Sequence, residues 1–210
     1  MSGERIVWGI GTGRTIRAHW AMVELGLDYE TRPVRTRTPD TETPEFRAVN
    51  PRGKIPVLRD RGVTIAESPA IVTYLGETYR DGPVILVPDQ PAARAKYFEW
   101  LSFISMELDA TTLYVLRRHW SLPEIYGDSP VANKAAEGYF ARMINAATEL
   151  LPNGPFILGD AFSGADILMT TTLDWAINYN QPLPAPFQAY FARMTARPGW
   201  IEAAELNGRA

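Results

Sequence analysis

The stretch IPVLRDRGVTIAESPA, residues 55–70, combines the signals of a hairpin and a helix start. Residues 57–59 and 63–65 are short β-prone runs, and the intervening Asp-Arg-Gly is typical of a tight turn. Ser68 followed by Pro69 is typical of a helix start, with serine as the N-cap and proline at the first helical position. The stretch therefore predicts two antiparallel strands followed by a helix.

The residues before this stretch predict a strand, a helix and a second strand. Residues 4–8 and 29–34 read as β-strands, and Gly26 is placed to end the helix between them. The polar stretch TRTPDTETPEF, residues 36–46, predicts a loop with a short helix. The order β-α-β-(α)-β-β-α predicts an α/β unit whose sheet is mixed, because it ends in a hairpin. The helix between the first two strands is indicated by apolar residues at i, i+4, i+7 and i+11, namely Ile16, Trp20, Val23 and Leu27.

The pattern changes at DGPVILVPDQP, residues 81–91, whose prolines and glycine are typical of a linker. Beyond it the sequence predicts helices and no strand. The predicted domains are therefore residues 1–80, α/β, and residues 92–210, all-α, joined by the linker. The predicted helices run over about 92–120 and 131–151, from 163 onward, and over about 185–195. Ser163 and Asp166 have the spacing of a capping box, so we interpret Asp166 as part of a helix start rather than as a catalytic residue.

Composition excludes several classes of function. The 24 acidic and 21 basic residues are well mixed, and the net charge of −3 favours neither a nucleic acid nor an anionic membrane as partner. Cysteine is absent, which removes disulfides, thiolate metal sites and a cysteine nucleophile. The spacing of His19 and His119 is typical neither of a metal site nor of a Ser-His-Asp catalytic relay, so we expect no metal. No apolar run is long enough for a membrane span, and MSGERIVW lacks the features of a leader, so a cytoplasmic protein is expected.

Pro56 stands at the start of a predicted strand, where it removes a hydrogen-bond donor. A cis bond between Ile55 and Pro56 would leave the main-chain N–H and C=O of Val57 unpaired at an edge, where a peptide can add as a further strand. The helix start near Ser68 favours a carboxylate, and Glu67 offers a counter-charge to an ammonium group. These features predict a binding site for a small peptide.

Three stretches carry a resemblance to a known family. NPRGKIPVLRDRGVTIAESPAIVTYL, residues 50–75, closely resembles the N-terminal thioredoxin-like domain of glutathione transferases. RTIRAHWAMVELGLDYE, residues 14–30, is similar to the first helix and second strand of bacterial members, and GDAFSGADI, residues 159–167, to a helix start of the family's helical domain. The resemblance spans essentially the whole chain. It implies a thioredoxin-like domain followed by a helical bundle, and a homodimer in which the N-terminal domain of one chain faces the helical domain of the other.

The resemblance also implies the site residues. Val57 would hold the cysteinyl amide of glutathione, Glu67 and Ser68 its γ-glutamyl end, and Lys54 the region of the glycyl carboxylate. An alternative remains that Ser68 only caps a helix and that the proline only shapes a turn. The full glutathione-binding set is Lys54, Ile55, Pro56, Val57, Glu67 and Ser68.

The family's Tyr, Ser or Cys that stabilises the glutathione thiolate is missing from the corresponding stretch GIGTGRT, residues 9–15. Thr15 is the first candidate for this role and Thr12 the second, with Arg14 as an electrostatic helper. The alternative is that both threonines cap the helix. The second substrate is expected between the domains, against the long helix, at Met106, Thr111, Tyr114, Arg117, Arg118 and Trp120. The alternative is that these residues form no substrate site: the apolar ones would be a stripe of core residues and the basic ones its solvent-exposed edge.

The predicted function is that of a glutathione transferase active in detoxification. Glutathione would be the co-substrate, and its thiolate would attack a small hydrophobic electrophile or a peroxide. A specialised isomerisation or reductive dehalogenation is a further option. The alternative is a non-catalytic binding or assembly module, as in elongation-factor gamma subunits and stringent-starvation proteins. A dinucleotide site or P-loop is disfavoured, since Arg14 and Trp8 stand where these motifs need glycine.

Overall fold

The computed structural model of the chain describes residues 5–208, so position 4, where the first strand is predicted to begin, and the last two residues lie outside it. The chain divides into two compact units. The first comprises residues 1–87 together with 196–210, and the second comprises residues 88–195. The C-terminal segment thus belongs to the first unit, whereas the sequence analysis assigns it to the helical domain.

The first unit is built on a sheet of four strands, β1 (Ile6–Trp8), β2 (Glu30–Arg32), β3 (Val57–Asp60) and β4 (Val63–Ala66), in the order β2-β1-β3-β4. Strands β1 and β2 are parallel, while β3 is antiparallel to both β1 and β4, so the prediction of a mixed sheet is confirmed. The helices are α1 (Thr15–Glu24), α2 (Pro44–Val49), α3 (Ser68–Thr78) and α10 (Pro198–Leu206), with a 3₁₀ turn at Pro39–Glu42.

The predicted hairpin is present, and its turn follows from the sequence. Arg61 and Gly62 have φ values of 48° and 80°, so two successive residues are left-handed, as a tight two-residue hairpin turn requires. The sheet core beneath it contains Ile6, Trp8 and Val57, all buried. Because β3 lies inside the sheet, both its flanks are covered by neighbouring strands.

Helix α10 packs on α1 and ties the C-terminal segment to the first unit. The rings of Trp20 and Trp200 meet edge to face at 5.1 Å, and the Arg197 guanidinium pairs with Glu24 at 2.8 Å. Gly199 permits the close approach, since a Cβ at this position would lie 2.6 Å from Oε1 of Glu24. The sequence does not predict this helix, because its short apolar pattern is not distinguishable from an extension of the helical domain.

The second unit consists of helices, and its described residues contain no strand beyond one isolated bridge between Phe156 and Gly159. The predicted fold class, α/β followed by all-α, is confirmed. The long helical segment at 91–121 comprises α4 (Pro91–Phe103), a π-helical part (Ile104–Leu113), α5 (Tyr114–Leu116) and a second π-helical part (Arg117–Ser121). It is followed by α6 (Pro123–Tyr126), α7 (Pro130–Thr148), α8 (Gly164–Asn178) and α9 (Ala185–Thr195).

Over residues 5–208, no helix has both the length and the apolar character needed to cross a bilayer. In the same part of the chain, no three His, Cys, Asp or Glu side chains are grouped as ligands for a metal ion.

His19 is a buried histidine whose two ring nitrogens both have partners. Nε2 lies 3.0 Å from the carbonyl of Gly9, and Nδ1 lies 2.9 Å from the hydroxyl of Tyr29. Burial raises the pKa of Tyr29 to about 12, so its hydroxyl stays protonated and donates to Nδ1, while Nε2–H donates to the carbonyl. The histidine is therefore neutral, and burial lowers the pKa of His19 below its usual 6.5.

This lowered pKa predicts a dependence of stability on pH. Below about pH 6.5 the unfolded chain binds a proton at His19 that the folded chain does not take up until its lower pKa is reached. The free energy of unfolding that the neutral His19 contributes above pH 6.5 should therefore be lost as the pH falls, by at most about 1.4 kcal/mol per pH unit. Urea unfolding between pH 7.5 and 5 should show a smaller loss for His19→Gln than for the natural protein. Equal losses in both proteins would contradict this.

Candidate functional site

The Ile55–Pro56 peptide bond is cis, which is the condition on which the predicted peptide site depends. Among the described residues, nothing forms a hydrogen bond with the main-chain N–H or C=O of Ile55. Gly9 lies directly against it, because a Cβ at Gly9 would stand 2.6 Å from Cβ of Ile55 and 2.9 Å from Cγ2 of Thr15. Gly9 also has a φ of +117°, which favours glycine. It therefore brings the unpaired main chain of Ile55 next to the turn that starts α1.

The prediction that Val57 presents unpaired main-chain groups at an edge is wrong. Val57 lies in β3, where it pairs with Trp8 of β1 on one side and with Ala66 of β4 on the other. The edges of the sheet are β2 and β4. The free main-chain groups belong to Ile55, two residues earlier, because β3 and its pairing begin only at Val57.

Asn50 holds the turn that precedes Ile55. Its side-chain Nδ2 donates to the carbonyl of Lys54 at 2.8 Å, and its Oδ1 accepts from the N–H of Arg52 at 3.2 Å. Gly53 in the same turn has a φ of +61°. Asn50 is buried, whereas the Lys54 side chain is exposed. The buried Asn50 side chain thus holds the turn in place, and the turn carries the Lys54 ammonium group at the surface.

Glu67 and Ser68 follow β4 directly, next to the pair formed by Val57 and Ala66. Glu67 has a φ of +75°, and its exposed carboxylate pairs with the Arg52 guanidinium at 3.0 Å. This pair is exposed on both sides, so it contributes little to stability and leaves the carboxylate available to a ligand. The strand pairing therefore brings Glu67 to the end of the sheet where Ile55 lies.

Ser68 is the first residue of α3 rather than a side-chain cap, since the helix start has no side-chain capping bond. Its buried hydroxyl accepts instead from Nη1 of Arg17 at 3.2 Å. Arg17 is itself buried in α1 and connects that helix to the start of α3. The sequence does not single out Arg17, because an arginine within a helical segment is usually on the solvated face.

The two candidate threonines form a reciprocal cap at the start of α1. The N–H of Thr12 donates to Oγ1 of Thr15 at 2.9 Å, and the N–H of Thr15 donates to Oγ1 of Thr12 at 3.0 Å. Thr15 is fully buried, and its hydroxyl lies 2.6 Å from Oδ1 of Asn207. Thr12 and Arg14 are half-buried. The capping alternative therefore describes Thr15 well, and Thr12 is the threonine that lies nearer the surface.

The residues predicted for a second substrate lie along the long helical segment of the second unit. Met106 and Trp120 expose 60% and 49% of their surface, so both are available for contact. The Arg117 and Arg118 guanidinium groups lie 5.2 and 4.8 Å from the centre of the Tyr114 ring, which places these three residues together. Thr111 donates its hydroxyl to the carbonyl of Met106 at 2.6 Å, five residues back, as the π-helical winding allows.

Further aromatic residues join this group and were not predicted. Tyr126 lies 5.5 Å from the Arg118 guanidinium. Tyr179 contacts the ring of Trp120 at 5.3 Å, and Trp175 contacts both Tyr179 and Tyr114, at 5.9 and 6.4 Å. Trp175 and Tyr179 are four residues apart at the end of α8, a spacing that could have indicated one aromatic face.

The chain belongs to the glutathione transferase family. Its residues 14–78 match the glutathione S-transferase N-terminal domain, and residues 130–202 match the C-terminal domain. It is 31% identical to glutathione S-transferase 3 of Zea mays, over 72% of this chain and 68% of that protein. It is 26% identical to glutathione S-transferase F14 of Arabidopsis thaliana, over 93% of this chain and 79% of that protein.

Solved structures show the same relationship. The theta class glutathione S-transferase from Xanthomonas axonopodis pv. citri, solved with glutathione bound, superposes with a TM-score of 0.79 at 25% identity and covers 97% of both chains. The similarity also extends to elongation factor 1-gamma 1 of Oryza sativa, at 28% identity, but this chain covers only 38% of that protein. The comparisons confirm the predicted family and favour the transferase over the binding-module alternative.

Proposed function

We propose that the first unit binds glutathione and that the protein promotes attack of its thiolate on a small electrophile. The observation that carries this proposal is the unpaired main chain of Ile55, set beside the 12–15 turn and at the same end of the sheet as Glu67. An unpaired N–H and C=O in extended chain can pair with a peptide as an added strand. A tripeptide bound there has its middle residue next to the start of α1.

The surrounding residues fit the two ends of glutathione. The exposed carboxylate of Glu67 offers an ion pair to the γ-glutamyl ammonium, and the first N–H groups of α3, near Ser68, offer hydrogen bonds to its carboxylate. The exposed ammonium of Lys54 lies one residue before Ile55 and suits the glycyl carboxylate. In this proposal the main chain of Ile55, rather than that of Val57, holds the cysteinyl amide, and Pro56 and Val57 shape the strand behind it.

The chemistry requires the thiolate, because a free thiol with a pKa of about 8.5 is mostly protonated at neutral pH. The thiol proton leaves to solvent, the sulfur forms a bond to the electrophilic carbon, and the leaving group departs with its electron pair. With a peroxide, the sulfur attacks one oxygen, the O–O bond breaks, and the alkoxide leaves with the electron pair and takes up a proton. A second glutathione then reduces the resulting sulfenic acid, which gives the disulfide and water. We assign the hydroxyl of Thr12 as donor to the thiolate and Arg14 as the nearby positive charge. Thr15, the first candidate from the sequence, holds the turn from within.

The second substrate is proposed to bind at the group around Tyr114. The exposed Met106 and Trp120 offer apolar contact, and the ring faces suit a planar hydrophobic electrophile. The guanidinium groups of Arg117 and Arg118 favour an electrophile with a substituent whose oxygen atoms carry partial or full negative charge, such as a nitro group.

We further propose that the protein acts in the cytoplasm, in detoxification, and as a homodimer. These proposals are supported by the family to which the chain belongs. A mass of one chain in gel filtration would contradict the dimer.

Turnover of a halogenated nitrobenzene with glutathione tests the function. The natural protein should be retained on immobilised glutathione and should catalyse the substitution. Thr12→Val should retain binding but show about tenfold lower kcat at neutral pH, because one hydrogen bond to a charged acceptor corresponds to about one pKa unit of the bound thiol. Thr64→Val, on the exposed face of β4, is the matched control and should have no effect.

Two outcomes would contradict these assignments. A natural protein that neither is retained nor turns over substrate would disprove the transferase and favour the binding-module alternative. If Thr12→Val keeps full activity while a folded Thr15→Val variant loses it, Thr15 is the donor.

A further inference from the structure

Asn207 stands immediately after α10 and is fully buried against the turn that starts α1. It comes from the opposite end of the chain, about 195 residues from Thr12. We propose that Asn207 is a positioning residue for the thiolate: it fixes the conformation and the hydrogen-bond polarity of residues 11–15. This inference rests on the proposed function and assigns part of it to the C-terminal segment.

Asn207 contacts the turn through both its main chain and its side chain. The N–H of Gly11 donates to the carbonyl oxygen of Asn207 at 2.9 Å and lies 3.1 Å from its Oδ1. The hydroxyl of Thr15 lies 2.6 Å from the same Oδ1, and Nδ2 of Asn207 donates to the carbonyl of Thr12 at 3.2 Å. The amide thus acts as an acceptor and a donor at once, which neither an aspartate nor an aliphatic side chain can reproduce.

These contacts decide which threonine can donate to an anion. A hydroxyl carries one proton, and the Thr15 hydroxyl lies 2.6 Å from Oδ1 of Asn207 and 2.9 Å from the carbonyl of Thr12, so both acceptors for its proton lie inside the turn and Oδ1 of Asn207 is the nearer. Oγ1 of Thr15 then accepts from the N–H of Thr12, and Oγ1 of Thr12 accepts from the N–H of Thr15. Oγ1 of Thr12 also lies 3.0 Å from Oγ1 of Thr15, so the Thr12 proton points at Thr15 when no anion is bound. It is nevertheless the proton that can turn outward to a bound anion, because Thr12 is half-buried while Thr15 is enclosed. Asn207 therefore makes Thr12, and not Thr15, the donor to the sulfur.

Substitution at Asn207 should change the ionisation of bound glutathione. Asn207→Ala removes the nearer acceptor for the Thr15 hydroxyl and the donor to the carbonyl of Thr12, so the Thr15 proton turns to that carbonyl and the turn loses the contacts that hold Thr12 in place. Asn207→Asp keeps the volume and the acceptor, but it places a second carboxylate oxygen against the carbonyl of Thr12 and adds a negative charge beside the sulfur. We expect the pKa of the bound thiol to rise by about one unit in the alanine variant and by more in the aspartate variant.

The experiment is a pH titration of thiolate absorbance with glutathione bound at saturation, together with the pH profile of kcat for a halogenated nitrobenzene. Glu205→Ala, an exposed residue of the last turn of α10, controls for disturbance of the helix end. Leu206→Asp, also exposed, controls for an added charge near the C-terminus. Both controls should titrate like the natural protein, while both Asn207 variants should shift the kcat profile to higher pH, with KM for glutathione changed less than threefold.

The outcomes separate this inference from the proposed function. If the natural protein does not lower the thiol pKa, the proposed function fails, and the role of Asn207 fails with it. If the natural protein lowers the pKa and the Asn207 variants lower it equally, only the role of Asn207 is overturned. If Asn207→Ala does not fold, the aspartate variant, which retains the buried volume, decides the question alone.

Discussion

Replacement of Glu67 by glutamine should weaken glutathione binding by about tenfold to a hundredfold. The change keeps the size of the side chain and removes the charge that faces the ammonium group in the proposed complex. A hydrogen bond to a charged group contributes about 1.5–3 kcal/mol, and each 1.4 kcal/mol is a factor of ten in affinity. Isothermal titration with glutathione at low salt measures the effect directly, and turnover at saturating glutathione should change much less than the affinity.

The neighbouring arginine and a distant glutamate supply the controls. Arg52→Ala removes the exposed ion pair with Glu67 and should leave the affinity unchanged or slightly higher, because the carboxylate no longer has a competing partner. Glu45→Gln makes the same chemical change on the exposed face of α2 and should have no effect. An unchanged affinity in Glu67→Gln would remove Glu67 from the proposed binding set and would leave the α3 start as the only determinant of the γ-glutamyl end.

The parts of the fold that sequence predicts well are those with local causes. The hairpin turn depends on Arg61 and Gly62 alone, and both have the left-handed conformation that its type requires. The helix start at Gly164 depends on Ser163 and Asp166, whose reciprocal bonds form the predicted capping box. The residues that form such signals lie within a few positions of one another, so the signals can be recognised in the sequence without any knowledge of the tertiary structure.

The mistake at Val57 has a non-local cause. Whether a strand has free main-chain groups depends on the order of strands in the sheet, and β3 lies between β1 and β4. Residues 57–58 read as a strand in either order, so their sequence does not distinguish an edge from an interior position. The structure places the free groups at Ile55, which precedes the proline and is outside the ladder.

The roles of Thr12 and Thr15 also depend on a non-local contact, so the sequence alone does not predict them. The spacing of Thr12 and Thr15 fits a reciprocal cap as well as a pair of candidate donors, and only the burial of Thr15 separates these interpretations. Asn207 contributes to that burial, since its Oδ1 lies 2.6 Å from the Thr15 hydroxyl, and it reaches the turn through the packing of α10 on α1. Nothing in the local sequence around Asn207 connects it with a turn near the other end of the chain.

Asp166 has a structural role that is larger than its place in a helix cap suggests. Its carboxylate is fully buried and accepts hydrogen bonds from the N–H of Ile157, from the N–H and the hydroxyl of Ser163, and from the hydroxyl of Tyr190, at 2.8–2.9 Å. Burial raises the pKa of Asp166, and these donors oppose the rise by stabilising the charged form. The carboxylate thus joins the loop before α8, the start of α8 and helix α9 within the second unit.

Replacement of Asp166 by alanine should therefore destabilise the second unit by about 3–5 kcal/mol, because several buried donors lose their acceptor at once. The urea midpoint followed by far-ultraviolet circular dichroism should fall accordingly, or the variant should accumulate unfolded. Asp160→Ala, in the exposed part of the same loop, removes an equal charge and should shift the midpoint little. Asp166→Asn should lie between the two, since its Oδ1 can still accept while its Nδ2 faces other donors. A midpoint for Asp166→Ala equal to that of Asp160→Ala would mean that water replaces the carboxylate and that these contacts do not hold the three segments together.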